Sequence, residues 1–465
     1  MCPPQPKISR PQPGVLSVNS HKNYIFVLVD LLCFLAALQI CAWLMLPPEL
    51  DIFDDYTGAS TFTVCSFILS FYMMDCRLVG REDFKDTSVR VFLAVLIGSV
   101  CAGFIFYSFD KWRFPRLMFV LQLFVTFGLT LGWRALYYTF WRNFSALPER
   151  VLLLGSAGAG RVRRVLSEYM PEAMILGYIG EPGADPNEAG PCLGDVSLTL
   201  SELAAKKADR LIIIDTFYLD SDLARNLFAA KLEGLKVHDM RGLYERLAAR
   251  LPIDLIEDDW LLLADGFSVT EAARRVKRTS DLCLCLPMLL LLSPIILLTA
   301  LFVRMESKGP AFYTQKRVGL HGKEFTVYKI RSMRNDAEAG GAQWAQAKDP
   351  RVTRIGRFIR KTRIDELPQL INVIKGDMSL IGPRQERREF VDELAAKIPY
   401  YNVRHAVKPG ITGWAQVCHP YGASLDDARY KLEYDLFYIK HLSLLLDAKI
   451  FLRTIGVVLF PKGAR

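Results

Sequence analysis

Several features that would classify this chain quickly are missing. Its ten cysteines in 465 residues include no Cys-x-x-Cys pair. Cys33, Cys41, Cys65, Cys101, Cys283 and Cys285 lie inside apolar runs, where a thiol serves as a small hydrophobe. Neither a disulfide framework nor a zinc site is indicated. Residues 1–20 contain four prolines by position 11 and no apolar core, so residues 1–23 are expected to form a flexible tail and not a cleavable signal peptide. The basic stretches are not interleaved with aromatics, which argues against nucleic acid as a partner. Between 150 and 270 there is neither a Gly-x-Gly-x-x-Gly fingerprint nor a Tyr-x-x-x-Lys dyad, the pair expected of an NAD-dependent nucleotide-sugar enzyme.

What is present is apolar residue in excess: 51% of the chain is hydrophobic, more than one soluble core requires. Lys and Arg outnumber Asp and Glu by 58 to 49, a net charge of +9 that suits the anionic cytoplasmic leaflet and phosphate-bearing substrates. Four apolar runs, at 24–46, 61–79, 91–109 and 115–138, are each near the length a helix needs to cross hydrocarbon. They predict a four-helix transmembrane bundle within residues 24–140. Lys7, Arg10 and Lys22 precede the first run without an acid, whereas Glu49, Asp51, Asp54 and Asp55 follow it without a base. That asymmetry places the N-terminus in the cytoplasm. Arg77, Arg81, Lys85 and Arg90 in the second loop agree, as do Arg142 and Arg150; Lys111, Arg113 and Arg116 in the third loop run against the rule. An even number of crossings returns the chain to the cytoplasm.

From 150 to 266 the pattern alternates. Strands are expected at 151–154, 175–179, 210–215 and 236–240, with helices at 161–169, 201–207, 223–233 and 244–250, a small Rossmann-like α/β domain. Its first turn, Gly155-Ser156-Ala157-Gly158-Ala159-Gly160, is out of register for dinucleotide binding. Close helix–strand packing is the favoured use of these glycines, with a phosphate approach and Glu181 as ribose partner the weaker alternative.

Residues 270–465 read as an α+β, mostly helical domain. Lys277 and Arg278 lead into the apolar run 282–303, followed by Arg304 and Lys308. Both flanks are basic, and Ser293-Pro294 interrupts the run. The expectation is a re-entrant helix–break–helix over 281–304 that enters and leaves by one face, with a kinked fifth transmembrane helix as the alternative. Residues 309–319 and 323–333 read as short strands and turns with regularly placed cations, suited to an anion or to anionic lipid. Pro409-Gly410-Ile411-Thr412-Gly413-Trp414 is a glycine-bounded loop, suited to a nucleotide or to plain turn-making. The amphipathic stretch 431–460 fits either an interfacial helix or a packed core helix.

The stretch organising all of this is 362–384. Asp365 and Glu366 stand just before a short helical pattern, with Pro368 in its first turn and Gly376 past its end. Arg351, Arg354, Arg357, Arg360, Lys361 and Arg363 precede them. Two carboxylates at a helix start, surrounded by cations, look like an active site that handles phosphate. Helix capping beside a solvated basic face is the plain alternative for such a pair.

Taken in order, Lys277-Arg278, Asp281, Ser293-Pro294, Gly309-Pro310, Gln315-Lys316-Arg317-Val318-Gly319, Asp365-Glu366-Leu367-Pro368-Gln369, Gly376-Asp377-Met378-Ser379-Leu380-Ile381-Gly382-Pro383-Arg384 and Pro409 to Trp414 resemble the bacterial sugar transferases. These are monotopic polyprenyl-phosphate sugar-1-phosphate transferases, and the whole chain resembles their long form. The resemblance implies transfer of a sugar phosphate from a UDP-sugar to undecaprenyl phosphate with Mg²⁺, on the cytoplasmic face of the bacterial inner membrane. The product would be the first lipid-linked sugar of an exopolysaccharide, capsule or O-antigen. It implies Asp365 as nucleophile, Glu366 as magnesium ligand with Asp365 beside it, and Arg360 as a phosphate-binding arginine. Lys277, Arg278, Gln315, Arg317, Arg331, Arg384 and Thr412 complete the candidate substrate-binding set. Membrane lipid is an expected partner, and a homodimer is compatible with the sequence. Gln385 stands where the family usually has a proline. A membrane-bound NAD-dependent nucleotide-sugar enzyme and a non-catalytic assembly scaffold are the rival functions. The first lacks its dyad, and the second has no need of the Asp365-Glu366 pair.

Overall fold

The computed structural model describes residues 20–465 except 48, 53–55, 75, 77–83, 109–114, 142–147, 156–158, 172, 181–189, 195–207, 215–220, 257, 335–348, 350, 420–423 and 460–465. Two compact units divide the chain between Ala249 and Arg250.

The first unit begins with the helices α1 (Ser20–Met45), α2 (Thr57–Met73), α3 (Phe84–Ser108) and α4 (Arg116–Leu136). Ile25–Met45, Thr87–Phe104 and Arg116–Phe140 are long and apolar enough to cross a membrane; α2 is apolar but only 17 residues long. These helices mark a membrane protein. Leu38, Cys41, Ile52, Ala102 and Met118 form one core of the bundle, and Phe34, Phe67, Phe71, Val91 and Val95 another. The bundle also buries an ion pair that hydropathy does not reveal. Arg134 on α4 grips Asp30 on α1 with both terminal nitrogens, at 2.6 and 2.7 Å, and Trp133 Nε1 donates to the same carboxylate at 3.0 Å. Arg134 also donates to the Cys76 carbonyl at 3.1 Å. A charge in an apolar bundle is tolerable only when matched in this way.

The same unit carries a parallel sheet of β1 (Arg150–Leu154), β2 (Met174–Ile179), β3 (Arg210–Ile213) and β4 (Lys236–Asp239), ordered β2-β1-β3-β4. The near-continuous Val/Leu/Ile of β1 and β3 is what burial on both faces demands. Helices α5 (Ala159–Tyr169), α6 (Ser221–Leu232) and α7 (Met240–Ala248) follow β1, β3 and β4. This is a mixed α/β arrangement close to the expected strand positions. Residues 156–158 of the glycine turn 155–160, Glu181, and the helix expected at 201–207 lie outside the described residues.

In the second unit a 3-10 turn (Ile253–Leu255) and a short helix (Asp258–Leu263) precede α8 (Glu271–Glu306), which is N-capped by the Thr270 hydroxyl. The break expected at Ser293-Pro294 does not interrupt it, and the reason is local. Pro294 cannot donate to the Leu290 carbonyl four residues back; the Ser293 hydroxyl takes that carbonyl instead, at 2.8 Å. One face of α8 carries the buried Asp281, Cys285, Ile296, Ala300 and Val303, while Leu290, Leu291, Leu297, Leu301 and Phe302 are exposed. After it come an antiparallel hairpin of β5 (Phe312–Val318) and β6 (Glu324–Ile330), then α9 (Arg354–Lys361), a 3-10 turn at Ile364–Glu366, and α10 (Gln369–Lys375). A parallel pair, β7 (Ser379–Ile381) with β8 (Gly410–Thr412), completes the site's scaffold. The expected terminal amphipathic helix is two, α11 (Leu425–Lys440) and α12 (Leu444–Leu459). Residues 432–439 of α11 are buried throughout, so it is a core helix, while Leu445 on α12 is exposed.

Candidate active site

The 3-10 turn that carries Asp365 and Glu366 is forced into place from both sides. Before it, Arg363 adopts a left-handed backbone (φ 60°), a conformation that costs an L-residue about 1–2 kcal/mol. After it, Pro368 caps α10, and Gly376 closes that helix at φ 96°. Both carboxylates are thereby drawn into the protein, at 8% and 7% exposure.

Their surroundings differ. Three cations converge on Glu366 Oε1: Arg384 Nη2 at 2.7 Å, Lys329 Nζ at 3.2 Å and Arg363 Nη1 at 4.0 Å. Burial alone would push the Glu366 carboxyl up, but Arg384, Lys329 and Arg363 outweigh it and hold Glu366 well below the usual carboxylate range. Asp365 has no such clamp. Burial and the neighbouring Glu366 charge push it above that range, and Lys329, Arg363 and Arg360 offset this only in part. Its Oδ1 is buried without a hydrogen-bond partner. Adjacent carboxyls whose pKa values are pushed apart are how a site assigns two roles to two like groups.

Lys329 stands outside the candidate set given by the sequence. Its signal was available: Phe325, Val327 and Lys329 share one face of β6, so a cation interrupts an otherwise apolar row. Burial lowers its pKa, and Glu366 opposes that shift. Across the hairpin Tyr313 pairs with Lys329. On β5, Arg317 donates to Gln315 Oε1 at 2.6 Å and lies 3.8 Å from Glu386.

Arg384 is delivered by β7 and β8, which touch backbone to backbone. A Cβ on Gly382 would strike the Lys408 carbonyl, and one on Gly410 would strike Gly382 itself, so both positions require glycine. Gln385, in place of the usual proline, donates from Nε2 to Gln369 Oε1 at 2.9 Å, fastening the turn to the start of α10 by a side-chain bond.

Other candidate residues are committed to the scaffold. Arg278 caps α10 by donating to the Val373 and Ile374 carbonyls. Arg331 does the same for α8 through the carbonyls of Ser307 and Lys308. Lys277 pairs with Asp447 at 2.6 Å, and the Thr412 hydroxyl lies 2.8 Å from that of Thr454. Arg360 acts on Asp365 through its field.

Residues 272–461 match the family model for the bacterial sugar transferases. The chain is 52% identical over 142 residues to a putative undecaprenyl-phosphate N-acetylgalactosaminyl 1-phosphate transferase of Bacillus subtilis (strain 168), a match covering 30% of this chain and 79% of that protein. The chain belongs to the bacterial sugar transferase family. It is also 45% identical over 250 residues to the UDP-N-acetylgalactosamine-undecaprenyl-phosphate N-acetylgalactosaminephosphotransferase of Aeromonas hydrophila, spanning 53% of this chain and 58% of that one. A UDP-glucose:undecaprenyl-phosphate glucose-1-phosphate transferase of Caulobacter vibrioides is 42% identical over 217 residues, 46% of this chain and 81% of that one.

Proposed function

We propose that this membrane protein transfers a sugar 1-phosphate from a UDP-sugar to undecaprenyl phosphate, releasing UMP and forming the first lipid-linked sugar of an exopolysaccharide, capsule or O-antigen. The observation that carries the reading is the split character of Asp365 and Glu366. In the first step an Asp365 carboxylate oxygen attacks the phosphorus that bears the sugar. A P–O bond of the diphosphate breaks, its electrons leave with UMP, and the sugar phosphate stays on Asp365 as an acyl phosphate. In the second step a phosphate oxygen of undecaprenyl phosphate attacks the same phosphorus and returns the free carboxylate. Burial makes Asp365 a stronger base and nucleophile than a solvated carboxylate, and Oδ1 has no hydrogen bond to lose. Glu366, fixed by Arg384 and Lys329, stays ionised and holds those cations against the diphosphate. Arg360 would meet a phosphate oxygen as a guanidinium fork.

Magnesium would have to be held together with the substrate, because Glu366 Oε1 already receives Arg384 and Lys329. Among the described residues no three His, Cys, Asp or Glu side chains gather around one point. Asp365 and Glu366 supply carboxylates, and substrate phosphates must supply the rest, as is usual for Mg²⁺. The ion would add charge neutralisation of the diphosphate.

Helix α8 runs unbroken through Ser293-Pro294 and is itself long and apolar enough to cross a membrane, but its hydrogen bonds favour attachment to one face. Near its start, Asp281 accepts from Ser379 Oγ and Leu380 N; at its end, Glu306 accepts from the Arg354 and Ile355 amides. Both ends are tied to one compact unit, which cannot lie on both sides of a bilayer. We place that unit on the cytoplasmic face, where UDP-sugars are found.

The test is UMP release by purified protein given undecaprenyl phosphate, Mg²⁺ and either UDP-N-acetylgalactosamine or UDP-glucose. The Bacillus and Aeromonas relatives are named for N-acetylgalactosamine, so that donor is expected to be the better one. No UMP from any UDP-sugar would sink the reading.

A further inference from the structure

Arg384 faces a positioning problem. A long, flexible side chain must present its guanidinium to Glu366 at 2.7 Å from a turn that contains glycine and proline. The turn's backbone is fixed in stages: Gly382 N donates to the Thr412 carbonyl and Gly410 N to the Pro383 carbonyl, each at 2.9 Å. The next carbonyl, that of Arg384 itself, accepts from Arg404 Nη2 at 3.0 Å.

Arg404 is 6% exposed, and both its terminal nitrogens are engaged in holding that position. Nη1 donates to the Tyr401 hydroxyl at 2.6 Å, and Nη2 also donates to Asp435 Oδ2 at 2.8 Å. Asp435 neutralises the buried charge from α11, so Arg404 is locked to a core helix on one side and to the Arg384 backbone on the other. A planar guanidinium can bridge acceptors in different directions without changing rotamer; an ammonium acts as a point charge.

We propose, on the reading of Asp365 and Glu366 given above, that Arg404 is a positioning residue for the transfer reaction: it fixes the Arg384 carbonyl so that the Arg384 guanidinium meets Glu366 and the donor diphosphate. Arg404 does not contact Glu366 in this arrangement; it acts through Arg384. A displacement of about 1 Å in such a group can cost on the order of 100-fold in rate.

The test is a double-mutant cycle on the full-length protein in lipid, measured by UMP release. Arg404→Gln is expected to lower kcat/KM about 10- to 100-fold, with Arg404→Lys recovering part of the loss. In an Arg384→Lys background, the same Arg404→Gln change is expected to cost less than about threefold, because the group it positions is already altered. Melting temperature is followed for every variant, and Arg404→Lys replaces Arg404→Gln throughout if the latter does not fold. Equal losses in the two backgrounds, or a loss that tracks only the folded fraction, would overturn the proposal while leaving the transferase reading intact. Absence of UMP release by the wild type would instead remove that reading, and this inference with it.

Discussion

Asp365 and Glu366 are adjacent in the chain but their pKa values are shifted in opposite directions, and each shift has a measurable consequence. Asp365→Asn is expected to abolish UMP release and to abolish covalent labelling by radiolabelled UDP-sugar; equal labelling of variant and wild type would place the nucleophile elsewhere. The same change should not lower the melting temperature at neutral pH and should raise it. Because the folded protein raises the Asp365 pKa, it binds that proton more tightly than the unfolded chain does. The stability contributed is present below the unfolded pKa and is lost as pH rises through the folded one, so an ionised Asp365 costs stability at neutral pH. Activity has the opposite dependence. The acidic limb of kcat/KM should lie above the ordinary carboxylate range. In Glu366→Gln, whatever activity survives should show that limb moved to lower pH, since Glu366 is one of the two causes of the raised value. A limb at the ordinary carboxylate value in the wild type would contradict this account.

Two elements carry predictions of their own. The β7–β8 pair leaves no room for side chains where it crosses, so Gly410→Ala must separate Gly382 from its neighbour and shift Arg384. A loss of more than about tenfold in UMP release is expected, with a lowered melting temperature; unchanged kinetics would mean that Arg384 does not depend on the crossing. Helix α8 carries the second. In intact cells, single cysteines at Arg275→Cys and Lys308→Cys, each in a background free of other reactive thiols, should both escape a reagent that cannot cross the inner membrane. Labelling of the Lys308→Cys variant alone would make α8 a spanning helix. The basic flanks predict re-entry from sequence, whereas α8 runs unbroken through Ser293-Pro294 and is long and apolar enough to span, so the labelling pattern decides between the two.

At the scale of the whole molecule, the boundary between Ala249 and Arg250 separates the membrane bundle and parallel sheet from the part that matches the transferase family. A 142-residue match covers 79% of the length of the Bacillus relative. A fragment of residues 250–465 in lipid is expected to retain UMP release within about tenfold of the full chain. In the first unit, Asp30→Asn or Arg134→Leu alone leaves a buried charge unmatched and should cost about 3–5 kcal/mol, whereas Asp30→Leu with Arg134→Leu should recover much of it. Unfolding of the membrane-embedded protein in detergent would measure both, and equal losses for single and double variants would contradict the pairing.

Local sequence determined the elements: the apolar runs that become α1 to α4, the Val/Leu/Ile strands of the parallel sheet, the cations around 351–363, and the ordered motifs of the transferase part. Spacing and hydropathy act over a few residues, and these are properties of a few residues. Tertiary structure alone decided what each cation is for. Arg278 and Arg331 cap helix ends, whereas Lys329 and Arg384 reach Glu366, although all four are plain basic residues in sequence. It also paired Asp30 with Arg134 across 104 positions, and Gln385 with Gln369 across 16. Charge pairing and nucleophile activation depend on distances of a few ångströms and on burial. Those are set only when segments far apart in the chain close around the same point.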